Sequence, residues 1–401
     1  MPTNRSWPAR LLALTAITAT ALAATVALPT PALAAGAPYR ATPVPVTAPT
    51  SADVTLVPGV YLVTFRPGAD RAVALRALRT TARADFGTTV NGFAAALTPA
   101  QVRELSHSAD VLAIEQDAWH HGVLDTTQAN PPAWGIDRVD QTNLPLSASY
   151  TYTATGAGVH AYIIDSGIDA AHPNFGGRAR FDYNAIDTNN TDCNSHGTHV
   201  AGTIGSTSYG VAKAVTLHGV KWLNCAGSGT TSAAVAAVNW VRTNHVKPAV
   251  ANTSWNMTYS ATLATALTNL MNAGVFLATS AGNTGGNSCD RLPRNLTAAL
   301  VVAATTSADA RASYSSTGTC VDLYGPGSGI VSTVPGGGTG SKNGTSMSTP
   351  HAAGIAVLYK SAYGDASQSV VHSWIVTNST AGVVTGSLSG TPNRLLNKRA
   401  L

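Results

Sequence analysis

Five short apolar runs punctuate the later part of the chain: Val159–Asp165, Leu217–Leu223, Val250–Ser254, Val275–Ser280 and Leu300–Ala304. Between and after them lie segments of helical spacing, Gly197–Gly205, Thr231–Val246, Ala261–Ala273, Ser346–Tyr363 and Gln368–Thr377. Several of the apolar runs are continuous rather than alternating, as in strands covered by helices on both faces. This alternation predicts an α/β fold, a doubly wound and mostly parallel sheet flanked by helices. Such a sheet carries its site at the carboxyl edge of the strands.

Three stretches put reactive side chains at that edge. The run Ala161-Tyr162-Ile163-Ile164 ends in Asp165, a carboxylate at a strand tip. In Asn194-Ser195-His196-Gly197-Thr198-His199, His196 stands where a helix begins. In Asn343-Gly344-Thr345-Ser346-Met347-Ser348-Thr349-Pro350, Ser346 stands at the first turn of another, with Pro350 read as close to that turn. A serine hydroxyl is a poor nucleophile at neutral pH. It needs a base within hydrogen-bond reach, and the base needs an anion to fix its tautomer. Asp165, His196 and Ser346 supply those parts. A competing reading takes His196 and His199 as metal ligands, but no third ligand stands at helical spacing. His199 is read as a structural histidine.

The start of the chain reads differently. Arg5 and Arg10, the apolar run from Leu11 to Leu28 and Ala32-Leu33-Ala34 form an export signal cut near Ala34. A Pro/Ala/Thr-rich linker follows. Tyr61–Phe65 reads as a strand, Arg71–Arg83 as a helix, Thr88–Leu97 as one or two strands around Asn91-Gly92, Thr98–Gln101 as a capped helix start, and Val111–Glu115 as a strand. That is a β-α-β-β-α-β order, a small α+β open-faced sandwich. Charged residues are only 11% of the chain, and the net charge of +5 comes from scattered basic residues. Nothing marks a nucleic-acid partner, and no later segment is apolar enough to span a membrane. Four cysteines, Cys193, Cys225, Cys289 and Cys320, in an exported chain imply disulfides, with connectivity left open by their number alone.

The motifs Asp165-Ser166-Gly167, His196-Gly197-Thr198-His199-Val200-Ala201-Gly202-Thr203 and Gly344-Thr345-Ser346-Met347-Ser348-Thr349-Pro350-His351 resemble those of the subtilisin-like serine proteases. Within that family the chain is most similar to the proteinase K and aqualysin group. The resemblance implies that Asp165 orients, His196 acts as general base and acid, and Ser346 attacks the peptide carbonyl. Ala281-Gly282-Asn283 matches the family's oxyanion element, with Asn283 as donor. Gly227, Ser228 and Gly229 resemble one substrate-binding edge strand; Ser254, Trp255 and Asn256 resemble the other, and Ala281 and Gly282 complete the binding set. Where the family usually has glycines this chain has Asn256 and Met257, which narrow the pocket for the residue before the scissile bond. Broad specificity is expected, with aromatic or aliphatic residues preferred there.

The resemblance also pairs Cys193 with Cys225 and Cys289 with Cys320. It implies no cofactor for catalysis but structural calcium. One ion would be held by Asp137, Asp140 and Gln141 with Ser147 and Ser149, and another by Asp322 with the carbonyls of Thr297 and Ala299. No acid stands between Asn378 and Asn397 for a further site of the proteinase K type. The sandwich resembles the family's inhibitor-like propeptide, whose tail from Trp119 to Thr126 would occupy the cleft and be cut near Asp125–Gln128. The expected divisions are therefore a signal at 1–34, a propeptide at 35–126 with the inhibitor-like domain over about 55–121, and a peptidase domain at 127–401. The expected protein is a secreted monomeric endopeptidase acting on protein and peptide substrates, restrained by its own propeptide. The alternative is a catalytically silent peptide-binding relative. An esterase of the α/β-hydrolase type is disfavoured, because its Gly-x-Ser-x-Gly elbow is not met at Ser346.

Overall fold

The computed structural model describes residues 39–49, 54–87, 89–120 and 126–401. The expected export signal lies outside them. The chain divides into two compact units, Met1–Gly122 and Val123–Leu401.

The first unit has the expected element order: strand Val54–Phe65, helix Arg71–Ala77, strands Ala82–Asp85 and Gly92–Ala96, helix Pro99–Ser106, strand Val111–His120. The helix expected to reach Arg83 stops at Ala77. Arg79 adopts a left-handed φ of 52°, which ends the helix. The residues beyond it form a strand instead, antiparallel to Gly92–Ala96. Asn91 therefore closes a loop, its amide donating to the carbonyls of Arg66 and Ala69 at 2.8 and 2.9 Å. Thr98 and Gln101 form the reciprocal cap that the sequence signals, with Pro99 in the first turn. Val63, Phe65, Phe93, Leu105, Val111 and Ile114 fill the core between sheet and helices.

The second unit is organised by one sheet. Its strands are β1 His160–Asp165, β2 Ala179–Asn184, β3 Thr216–Lys221, β4 Ala249–Thr253, β5 Phe276–Ser280, β6 Leu300–Thr305 and β7 Leu323–Pro326, with the short β8 Thr380–Ala381 and β9 Arg394–Leu395. The spatial order is β8-β9-β7-β6-β5-β4-β1-β3-β2. Every neighbour is parallel except β8 with β9. The chain leaves β1 toward one edge and returns to its other side through β4. That reversal marks where a doubly wound sheet opens a crevice.

Strand alternation decides what faces that crevice. Ala161 and Ile163 point into a core shared with α2 His196–Gly205 and α5 Thr345–Tyr363. Tyr162 and Ile164 point to the opposite core, against α3 Thr231–Asn244 and α4 Ala261–Asn272. Asp165 continues the first series, so its carboxylate emerges on the side that carries the starts of α2 and α5. Helix α6, Gln368–Asn378, completes the predicted helices. The elements not legible in this unit include α1, Trp134–Asp140, the edge strand β2, the strands β7 to β9, the hairpin Ile330–Val334 with Gly338–Lys342, and the pair Thr126–Ala129 with Ser149–Tyr152. All are short, polar or broken by glycine or proline, so none carries a sustained apolar period.

The hairpin packs on α2. A Cβ at Gly202 would lie 2.1 Å from Thr333 Oγ1 and 3.0 Å from Thr333 N, so the helix approaches backbone to backbone there. Gly202→Ala is therefore expected to destabilise the second unit by about 1–3 kcal/mol through overpacking. Thermal melting of a hydrolytically inert background measures it, and an unchanged Tm contradicts this account of the contact.

Candidate functional site

The Asp165 side chain is fully buried and accepts from His196 Nδ1 at 2.8 Å through Oδ1 and 3.0 Å through Oδ2. The Ser166 N–H donates to the same Oδ1 at 2.7 Å. His196 can come this close because position 197 is glycine, where a Cβ would sit 2.0 Å from the Gly167 carbonyl oxygen. Burial alone would push the His196 pKa down. The charge and hydrogen bond of Asp165 outweigh it, Lys342 opposing and Asp192 assisting, and the pKa lies above the ordinary 6.5 of histidine.

Asp192 is a residue that sequence reasoning missed. It is 2% exposed and organises the whole histidine loop. Its Oδ1 accepts from Asn194 N, Ser195 N and Ser166 Oγ, and its Oδ2 from Thr198 N and Thr198 Oγ1, at 2.6–3.0 Å. Ser166 Oγ in turn accepts from Gly197 N at 3.0 Å. An Asp ahead of Asn, Ser and Thr at a helix start is the available signal, a loop acid that caps several N–H groups at once.

Ser346 begins α5 behind Gly344, whose φ of 151° suits glycine. Pro350 lies in the second turn of α5, one turn later than the sequence suggests. Having no N–H, it leaves the Ser346 carbonyl without its helical partner. Ser254 Oγ donates to that carbonyl at 3.0 Å, and Asn252 Nδ2 donates to Ser254 Oγ at 2.8 Å. The Ser346 hydroxyl donates to the Ser254 carbonyl at 3.0 Å, its one hydrogen bond among the described residues. No hydrogen bond joins it to His196, and catalytic hydrogen bonds are often loose before substrate binds.

Asn283 is exposed and oriented. Its Oδ1 accepts from both Thr345 N and Thr345 Oγ1 at 2.9 Å, which turns Nδ2 the other way. A Cβ at Gly344 would lie 3.4 Å from that Nδ2, so the amide reaches the turn that presents Ser346. Ala281 and Gly282 are buried behind it. Gly282 N donates to Thr345 Oγ1 at 3.0 Å, and the Ala281 carbonyl accepts from Ser288 Oγ at 3.0 Å and from Arg294. These two residues support the wall rather than line the open cleft.

That cleft, about 430 Å³, is lined by His196, Trp222, Gly227, Ser228, Gly229, Ser254, Trp255, Asn256 and Met257. Gly229 is held against Trp222, where a Cβ would meet the Trp222 carbonyl oxygen at 2.3 Å. Trp255 stands edge-on to Trp222 at 4.8 Å and donates to the Ile164 carbonyl at 2.7 Å. Asn256 is exposed at the cleft and Met257 half-buried in it. Disulfides join Cys193 to Cys225 and Cys289 to Cys320, as expected, and no free cysteine is found among the described residues.

His199 does not act as a ligand. It is fully buried, with Nε2 bonded to the carbonyls of Ile330 and Gly340 at 3.0 and 3.2 Å, and burial holds its pKa down at about 4.

The two expected calcium sets differ. Asp137 Oδ1 accepts from Ser147 N and Oγ, Gln141 Oε1 from Ser147 N, and the Ser147 and Ser149 hydroxyls bond at 2.8 Å. Asp140 accepts from Thr151 N and pairs with Lys398 at 3.3 Å. Asp140 is thereby committed, but the oxygens of Asp137, Gln141, Ser147 and Ser149 are gathered in one place and suit a calcium ion. Asp322 is otherwise committed. It accepts from Val301 N at 2.7 Å and pairs with His372 at 3.2 Å, so with Thr297 and Ala299 it does not fit a cation while that pair stands.

A buried carboxylate, an imidazole fixed by it, a serine at a helix start and an amide facing the same turn define a serine hydrolase of acyl-transfer type. Comparison with known proteins narrows the class. Residues 156–394 match the subtilase family and residues 76–121 the peptidase inhibitor I9 family. The chain is 42% identical to an extracellular serine proteinase of Thermus sp. (strain Rt41A) over 369 residues, 85% of this chain and 89% of that one. It is 41% identical to a subtilisin-like serine protease of Sarocladium strictum over 90% of this chain and 95% of that one. A crystal structure of a cold adapted subtilisin-like serine proteinase superposes with a TM-score of 0.65 at 41% identity, covering 67% of this chain and 98% of that one. The chain belongs to the subtilase family. It is a serine endopeptidase with an I9-type propeptide.

The raised His196 pKa has a kinetic signature. A general base works unprotonated, so kcat/KM should fall as pH drops through a midpoint above 6.5. Asp165→Asn should move that midpoint down and cut kcat by about 10⁴-fold. A midpoint below 6 in the unaltered enzyme would contradict the assigned pair.

Proposed function

We propose that this chain is an exported zymogen whose mature part cuts protein and peptide chains through Ser346, His196 and Asp165. One observation carries the proposal: the Asp165-bonded His196 lines the cleft, and the Ser346 hydroxyl bonds to Ser254, which lines the same cleft. The Ser346 hydroxyl swings from the Ser254 carbonyl to His196 Nε2 and attacks the scissile carbonyl, its proton passing to the imidazole. Asn283 Nδ2 and the Ser346 N–H stabilise the oxyanion. Collapse of the intermediate breaks the C–N bond, and the leaving amine takes the proton from His196. Water then repeats the sequence on the acyl-enzyme. Acyl transfer of this kind calls on no cofactor.

The Gly227–Gly229 and Ser254–Asn256 segments hold an extended substrate by its main chain, which gives broad tolerance of its side chains. The Ser254 carbonyl, once released by Ser346, is free to accept from a substrate N–H. The export segment and the extracellular relative favour secretion. The peptidase acts as a monomer, without a nucleic-acid or membrane partner. Maturation falls near Asp125–Gln128, of which Asp125 lies outside the described residues. Thr126–Ala129 pairs with Ser149–Tyr152, so a cut just before it leaves the new end anchored in a strand.

Ser346→Ala should abolish casein hydrolysis and leave the propeptide attached, while the unaltered secreted protein should begin within Asp125–Gln128. Asn283→Leu should lose about 10²–10³ in kcat with little change in KM, a magnitude obtained for the equivalent donor in this family. Full hydrolysis by the Ser346→Ala protein would remove the proposal.

Calcium at Asp137, Gln141, Ser147 and Ser149 serves the fold, by tying α1 to the loop that follows it. Chelation should lower the Tm of the Ser346→Ala protein and added calcium should restore it. An unchanged Tm would exclude the site.

A further inference from the structure

Arg294 is a buried cation that the mechanism does not use. It is 2% exposed. Its Nη1 bonds to the Ala281 carbonyl and Ser288 Oγ, but its Nε has no partner. Among the described residues no carboxylate pairs with it. The neighbouring Asp290 has a side chain 78% exposed and leans toward Arg291 at 3.7 Å. Burial lowers the Arg294 pKa to about 10, Asp290 opposing and Arg291 adding, so the guanidinium stays charged at neutral pH. A buried charge without a counter-charge is costly, and an anion that reached it would offset that cost.

Its position suggests which anion. The segment from Leu292 to Arg294 joins two stretches that the family resemblance assigns to substrate binding, Ser254–Asn256 and Ala281–Gly282. Leu292 exchanges both backbone hydrogen bonds with Met257 at 2.9 Å, on the wall formed by Ser254 to Met257. Arg294 binds Ala281 on the other wall and packs behind Gly282, where a Cβ would lie 2.2 Å from Nη1. Arg291 adds a second cation beside the first wall, donating to Thr258 Oγ1 at 3.2 Å. The lining of the cleft itself contains no carboxylate.

We propose that Arg294 makes this pocket selective for an acidic side chain, glutamate or aspartate, on the residue immediately before the scissile bond. The inference rests on the endopeptidase reading above and replaces the aromatic or aliphatic preference expected from family resemblance. Tolerance elsewhere along the substrate is unaffected, because the strands bind main chain. A carboxylate entering the pocket pairs with the guanidinium, a charge-assisted bond that its amide counterpart cannot make. A site made to bind a particular polar group discriminates strongly against analogues that lack it.

The test uses mature enzyme and matched peptides that differ only in having Glu, Gln or Phe before the cleaved bond. At neutral pH, kcat/KM for Glu should exceed that for Gln about tenfold or more, and the ratio should shrink as the substrate carboxylate is protonated. Arg294→Met should bring the Glu-to-Gln ratio of kcat/KM to about one, and Arg294→Lys should keep part of the Glu advantage. A Glu-to-Gln ratio at or below one in the unaltered enzyme overturns the proposal, as does an advantage that survives Arg294→Met. If Arg294→Met does not fold, the ratio and its pH dependence in the unaltered enzyme decide alone. Absence of any cleavage would instead sink the endopeptidase reading.

Discussion

The site depends on one close approach, that of the α2 start to the loop leaving β1. Gly197 lies against the Gly167 carbonyl with no room for a side chain. Only that contact lets a histidine at the first helical position meet a carboxylate at the strand tip. Ser166 and Asp192 lock the approach by sharing a hydroxyl between the Gly197 N–H and the Asp192 carboxylate. The geometry of the base is thus set by backbone packing and a buried acid, not by the imidazole's own preferences. A network with every member satisfied holds one arrangement firmly; a half-satisfied one would not.

The nucleophile is placed by a different device. A proline inside a helix usually weakens it, yet Pro350 frees the carbonyl of Ser346 for Ser254 to hold. Ser346 is gripped at its carbonyl by Ser254 Oγ and at its hydroxyl by Ser254 O, so one residue of the substrate wall fixes both ends. Substrate that competes for the Ser254 carbonyl would at the same stroke release the hydroxyl toward the base. Binding and activation then share an atom.

Much of this was legible because strong periods mark buried elements. The runs that became β1, β3, β4, β5 and β6 are mostly apolar, and their boundaries differ from the expected ones by a residue or two. The reactive side chains were legible for a related reason: glycine and small residues beside Asp165, His196 and Ser346 mark places where backbone must pass close. What escaped notice lacks such marks. Asp192 is a lone acid in a polar loop, and only the fold reveals the five donors it gathers. Arg294, between Pro293 and Asn295, carries no mark of its own in the sequence, and its burial follows from the fold. The helix expected to reach Arg83 ended early because a left-handed residue broke it, a tertiary choice that local spacing does not encode.

The bridge between Cys193 and Cys225 spans the cleft's two functional parts. One sulfur stands three residues before the general base and the other two residues before Gly227. Joining them tethers the loop that carries the imidazole to the loop that borders the cleft, independently of the hydrogen bonds that hold either one.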